Sequence, residues 1–210
     1  MGEGDFDEIK KEKGLIYVNG TYQTQTVQHC HLEVPVSFAY MDHDRIVVVT
    51  STQIPHIVRR VISQALGVGM GRIRVIKPYV GGGFGNKQDV LYEPLCAFLT
   101  TQVGGRLVRI ELSREETLAC TRVRHAITFK LEGLVSKEGR LIARRFTGYS
   151  NQGGYASHAH AIMANASNIF KQLYQDEKVL ESKSYTVYTN IATGGAMRGY
   201  GIPQGDFATE

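Results

Sequence analysis

Hydrophobic and polar positions change period repeatedly along this chain. Between Arg45 and Thr52, "RIVVVTST", β-branched residues run almost without interruption and predict a strand. The next stretch, His56–Gly67, repeats apolar residues at helical spacing: Ile57, Val58, Val61, Ile62, Ala65 and Leu66 share a face, and Gly67 supplies the stop. Arg72–Val80 returns to strand character, and beyond a glycine-rich loop Leu91, Leu95, Phe98 and Leu99 recur at helical spacing through Thr101. Pro94 falls inside that pattern and predicts a kink or a late helix start. From Arg106 onward long strands take over, "RLVRIELSR", "HAITFKLEGLVS" and "RLIARRFTGYS", the last two joined by a hairpin turn at Lys137-Glu138-Gly139. The stretch Ser157–Glu181, rich in Ala, Asn and Ser with weak periodicity, reads as loop with helical turns. The predicted fold class is α+β (mixed α/β). Its parts are residues 1–104, strands and helices around the glycine loop, and residues 105–210, mainly strands.

Composition narrows the function classes. With 210 residues and 42% apolar content the chain can bury a sizeable core. The formal charge of +4 is small, and its basic residues occur as pairs, Arg59-Arg60 and Arg144-Arg145, inside apolar periodic segments. That argues against nucleic-acid binding, which needs a basic stripe. Cys30, Cys96 and Cys120 are too far apart for a zinc or iron–sulfur spacing, and their odd number makes no disulfide framework. No basic-then-apolar leader follows Met1 and no apolar run nears the length of a membrane span, so a soluble, cytoplasmic protein is expected.

The chemistry concentrates in "KPYVGGGFGNKQDVLYEP", Lys77–Pro94. Strand, glycines and helix in that order are the geometry in which backbone N–H groups meet an anion. Two familiar versions fail on spacing. A nucleotide-triphosphate loop needs Gly directly before Lys87, where Asn86 stands; a dinucleotide fingerprint needs a third spaced glycine, and Gly85 is followed by Asn86, Lys87 and Gln88. The bland alternative is a tight turn. His29 and His31, alternating beside Cys30, tempt a metal-ligand reading, but histidines packing against the next strand are the better explanation.

Five stretches in order carry a resemblance: "GTYQTQTVQHCHLE" (Gly20–Glu33), "TSTQIPHIVRR" (Thr50–Arg60), "PYVGGGFGNK" (Pro78–Lys87), "LSREETLACTRVRH" (Leu112–His125) and "GGAMRGYGIPQ" (Gly194–Gln204). Together they resemble the molybdenum hydroxylases, the xanthine dehydrogenase and aldehyde oxidase family. The resemblance implies a molybdopterin-binding domain of the molybdenum-binding subunit. Gly82, Gly83 and Gly85 would lie against the metal centre of a pterin cofactor, Phe84 would touch that centre from above, and Arg198 would approach it through its backbone amide with Gly199 keeping the chain close. Phe84 and Arg198 are contacts to the molybdenum, not side-chain ligands to it. Asn86 replaces the family's usual glycine and is expected to tolerate a positive φ there. Gln28 is the candidate for a glutamine on the metal's apical side, although Val27 occupies the matching place.

The same resemblance assigns substrate contacts to Gln88, where related dehydrogenases carry glutamate, and to Arg124, the purine-orienting arginine. A fixed guanidinium suits a carbonyl-bearing heterocycle better than an aliphatic aldehyde. The implied activity is hydroxylation of purines with water as the oxygen source, with an aldehyde oxidase-type activity as the alternative. The cofactor would be molybdopterin, in its cytosine dinucleotide form, with molybdenum; iron–sulfur clusters and FAD would reside on partner subunits. No catalytic residue is expected within this chain: the general-base glutamate belongs to a second molybdopterin domain, which is absent here, so the chain alone would be inactive. A truncated chain serving only in binding or assembly, and a generic α/β scaffold, are the competing classes.

Overall fold

A computed structural model describes residues 4–172, 174 and 177–210. The chain divides into two compact units, one made of residues 28–123, the other of 1–27 with 124–210.

The first unit is a four-stranded sheet in the order β4-β3-β2-β5, formed by β2 (Val36–Asp42), β3 (Arg45–Thr50), β4 (Ile73–Ile76) and β5 (Val108–Glu111). β2 pairs antiparallel with β3 and β5, while β3 and β4 run parallel. A parallel pair needs a crossover, and α2 (Pro55–Leu66) provides it. Pro55 opens that helix, where its missing N–H costs nothing, and Gly67 closes it at φ 66°. Val58 and Ile62 of the predicted apolar face join Ala39, Ile46, Val48, Ile73, Cys96 and Ala97 in the core. α3 (Glu93–Gln102) starts late, with Pro94 in its first turn. Ser113 and Glu116 form a reciprocal capping box that starts α4 (Arg114–Cys120) directly after β5.

The expected division after residue 104 falls inside this unit. Gly104 and Gly105, at φ 68° and 81°, turn the chain back so that β5 pairs with β2. The long strands begin only with the second unit; β5 itself is four residues and completes this sheet.

In the second unit, β1 (Ile16–Gln23), β6 (Ile127–Val135), β7 (Leu141–Gly153) and β8 (Val179–Tyr188) lie in the order β1-β6-β7-β8. β6 and β7 form the predicted hairpin, closed by Gly139 at φ 83°. β8 is parallel to β7. The crossover between them contains α5 (Ala159–Gln172), a regular helix where loop was expected. Its Met163, Ala166 and Phe170 pack with Ile127, Phe129, Phe146 and with Ala208 of α6 (Ile202–Thr209). Near the other end of the sheet Phe6, from the short α1 (Phe6–Ile9), fills a smaller cluster with Leu134, Ala143 and Val179. Among the described residues no helix is long and apolar enough to cross a membrane.

Candidate functional site: two loops with unpartnered backbone donors

In the first unit the glycine loop follows β4 and is fastened from both sides by side chains. The Gly81 N–H donates to Glu33 Oε2 at 2.9 Å and the Gly85 N–H to Gln53 Oε1 at 3.0 Å. These fastenings explain two of the glycines, since a Cβ on Gly81 would lie 2.6 Å from Glu33 Cβ and one on Gly83 2.4 Å from Gln53 Oε1. Gly82 and Gly85 are needed for a different reason, their φ of 99° and 106°. Phe84 also has a positive φ, 53°, an uncommon state for a bulky residue, and its ring is 51% exposed.

Between the fastened ends, the N–H groups of Gly82, Gly83 and Phe84 donate to no group among the described residues. Consecutive free donors around left-handed residues form a concavity for electron-rich ligands. Gly83 is buried despite its free N–H. A pterin-bound metal centre with oxygen and sulfur ligands fits such a cradle, and Gly83 leaves it without a Cβ.

The residues after the loop anchor it. Asn86 does not have the positive φ expected of it; it starts a short 3-10 turn, Asn86–Gln88. Its side chain explains its presence: Nδ2 donates to Gln28 Oε1 at 3.1 Å, Thr121 Oγ1 at 3.0 Å and the Arg122 carbonyl at 3.2 Å. Gln28 is thus occupied within the chain, for its Oε1 also accepts from the His29 N–H at 2.8 Å and its Nε2 donates to the Thr117 carbonyl and Thr121 Oγ1, both at 3.3 Å. Gln88 is half-buried and its side-chain amide meets no partner among the described residues.

Lys87 turns inward, its side chain 2% exposed, and its Nζ lies 2.5 Å from Glu33 Oε2 and 2.7 Å from Ser51 Oγ. Burial opposes charge on Glu33, but hydrogen bonds from Lys87, Ser51 and the Gly81 N–H outweigh it and hold the carboxyl below its ordinary range. Burial pulls Lys87 down as well, against the attraction of Glu33. The three donors converging on Glu33 make the charged pair the resting state. His31 is buried with its Nδ1 2.6 Å from the Glu33 carbonyl, and burial lowers its pKa. His29, also buried, lies with its Nδ1 3.2 Å from Asn86 Nδ2.

In the second unit the arginine loop precedes α6. Gly199, Tyr200 and Gly201 all have positive φ, 84°, 47° and 97°. A Cβ on Gly201 would lie 2.2 Å from the Ile162 carbonyl oxygen. Arg124 is fixed by a backbone bridge to Val27, and its guanidinium donates to Gln204 Oε1 at 2.9 Å and to the Arg198 carbonyl. Tyr200 is held too, its hydroxyl 2.6 Å from His158 Nδ1 and its carbonyl accepting from Asn165 Nδ2 at 3.2 Å. The N–H groups of Met197, Arg198 and Gly199 meet no acceptor among the described residues, and the Arg198 side chain is exposed.

The structure therefore groups Gln28, Gln88 and the glycine loop in one unit, and Arg124, Arg198 and Gly199 in the other. The supports Glu33, Gln53 and Lys87 carried no role in the sequence reading, and Asn86 carried only a backbone one. Their signal was position: all four lie within the motif stretches, but side chains that brace a loop have no spacing rule of their own.

Each unit thus carries one braced loop with a row of backbone N–H groups that meet no acceptor among the described residues. The family model for the molybdopterin cofactor-binding domain matches residues 1–210. This chain belongs to that family, within the xanthine dehydrogenase and aldehyde oxidase class of molybdenum hydroxylases. It is 51% identical over 194 residues to the xanthine dehydrogenase molybdenum-binding subunit of Escherichia coli O157:H7, covering 92% of this chain and 26% of that protein. It is 32% identical to the nicotinate dehydrogenase large molybdopterin subunit of Eubacterium barkeri, covering 99% of this chain and 48% of the relative. The chain thus spans between a quarter and a half of these curated relatives. The aldehyde oxidoreductase of Desulfovibrio gigas shares the fold, with a TM-score of 0.89 at 24% identity over all of this chain and 23% of its own.

Proposed function

We propose that this chain is the molybdenum-cofactor-binding part of a xanthine dehydrogenase-like oxidoreductase that hydroxylates purines with oxygen taken from water. The observation that carries the reading is the free donor row Gly82–Phe84, a built cradle that nothing among the described residues fills. When bound, molybdopterin with its molybdenum, in the cytosine dinucleotide form, supplies the two-electron redox centre of the reaction. The chain's own residues bind and orient. Gly82, Gly83 and Phe84 offer N–H groups to the metal's ligands, Gly85 sets the turn, the exposed Phe84 ring covers the centre, and Arg198 and Gly199 offer further backbone donors. Gln28 acts through Asn86, keeping the loop in register.

Substrate contacts fall to Gln88, whose amide is uncommitted, and to the N–H groups of Arg124 that remain beyond its bonds to Gln204 and Arg198. Purines are favoured over aldehydes because a guanidinium and a carboxamide match ring carbonyl and nitrogen groups. Two relatives named for nitrogen heteroaromatic substrates, xanthine and nicotinate, support the preference. Iron–sulfur and FAD subunits accept the electrons in the cytoplasm, where the three free cysteines stay reduced.

In the full-length enzyme, Arg124→Met should lower purine turnover about 100- to 1,000-fold, as for loss of one preorganised transition-state contact, while sparing small aldehydes. Steady-state rates on both substrate classes measure this. Equal losses on both, reproduced by Gln204→Ala, would assign Arg124 to bracing the Arg198 loop instead.

A further inference from the structure

We infer that Glu33 and Lys87 are positioning residues whose ion pair clamps the glycine loop at both ends and so sets its free donor row; the inference rests on the reading of that loop as a cofactor cradle. One carboxylate oxygen, Glu33 Oε2, accepts from the Gly81 N–H at the loop's entry and from Lys87 Nζ at its exit. The Glu33 N–H in turn donates to the Gly81 carbonyl at 3.1 Å, doubling the entry contact. Ser51, just past the end of β3, donates to the same Glu33 oxygen and accepts from Lys87, which ties the clamp to the sheet.

The chemistry makes this contact a fixed one. The Lys87 side chain is 2% exposed and that of Glu33 30%, so water does not substitute for the carboxylate at the ammonium. Among the described residues Lys87 has only Glu33 as a countercharge. Removing one partner leaves a buried charge uncompensated, whereas replacing both leaves none. Between the clamped ends, Gly82 and Gly85 in left-handed conformation would otherwise give the backbone wide freedom. The clamp removes that freedom before any ligand arrives, so the donors stand ready and their ordering is not charged against binding.

The test uses the full-length enzyme, prepared with cofactor and also from a host unable to make molybdopterin. Amide hydrogen exchange is followed in the cofactor-free protein, and molybdenum per folded polypeptide in the loaded one. Lys87→Met and Glu33→Gln should each speed exchange within 81–88, at the bonded N–H groups of Gly81, Gly85, Asn86 and Gln88, by about tenfold or more and leave α2 unchanged. Lys87→Arg, which keeps a charged donor, should restore slow exchange. Should either single variant fail to fold, the double variant Glu33→Gln/Lys87→Met, free of unpaired charge, should fold and show the same loosened loop. Unchanged exchange at 81–88 in the folded variants overturns the clamp. Loosening accompanied by lost molybdenum supports both clamp and cradle; loosening with full molybdenum upholds the clamp and overturns the cofactor reading of the loop.

Discussion

His125 is 1% exposed, and neither ring nitrogen meets a partner among the described residues. Gly194 lies so close that a Cβ on it would be 2.6 Å from Nδ1. Burial, reinforced by the charge of Arg124, lowers the pKa from 6.5 to about 4. The folded value is the depressed one, so the stabilisation is complete above pH 6.5 and is lost as pH falls towards 4, the unfolded chain taking up the proton first. By about pH 5 the loss should reach roughly 2 kcal/mol. Urea unfolding across that interval measures it, and His125→Phe should flatten the slope. An equal slope in the variant would show that other groups carry the pH dependence. Asn86 makes a related point about single positions. Sequence assigns it a backbone role by analogy with the glycine it replaces, yet its amide does the work, reaching Gln28, Thr121 and the Arg122 carbonyl. A contact between residues so far apart in sequence leaves no local pattern to read.

Elements set by strong periodicity were legible: β3, α2 with its Gly67 cap and the β6–β7 hairpin all lie where apolar spacing and turn chemistry place them. α5 was not: its buried Ala159, Ile162, Met163, Ala166 and Phe170 do recur at helical spacing, but the small and polar residues between and beside them blur the contrast between its faces. Ala166 and Ser167 are buried on it by closeness, not by bulk. Gly205 of α6 meets this surface, and a Cβ there would lie 2.3 Å from the Ala166 carbonyl oxygen, a backbone atom with little room to yield. Gly205→Val should therefore cost about 1–3 kcal/mol through overpacking. Gly154→Ala, whose Cβ would enter open space, should leave stability near that of the parent. Thermal unfolding compares them, and equal melting temperatures for the two variants would refute the close α5–α6 contact. The S-x-x-E pattern at Ser113–Glu116 was readable as a helix start, but it follows directly on a strand pattern that masked it.

Taken as one chain, the sequence motifs located both loops, and the structure supplies their reasons. Each loop is braced from within, by Glu33, Gln53 and Asn86 in one unit and by Arg124, Asn165 and His158 in the other, and each leaves consecutive N–H groups without an acceptor among the described residues. The domain boundary was beyond sequence reading because β1 pairs with β6 across more than half of the chain. The central claim, that the glycine loop is a cofactor cradle, is tested most directly by molybdenum and pterin content per folded polypeptide in the full-length enzyme and its Gly83→Ala variant. The new Cβ displaces the end of Gln53 and with it the bond from the Gly85 N–H, so the variant should fold at a cost of about 1 kcal/mol. The cradle account predicts molybdenum and pterin in the parent and a clear loss of both in the folded variant. A folded variant with the parent's full molybdenum and pterin, or a parent without either, would contradict it.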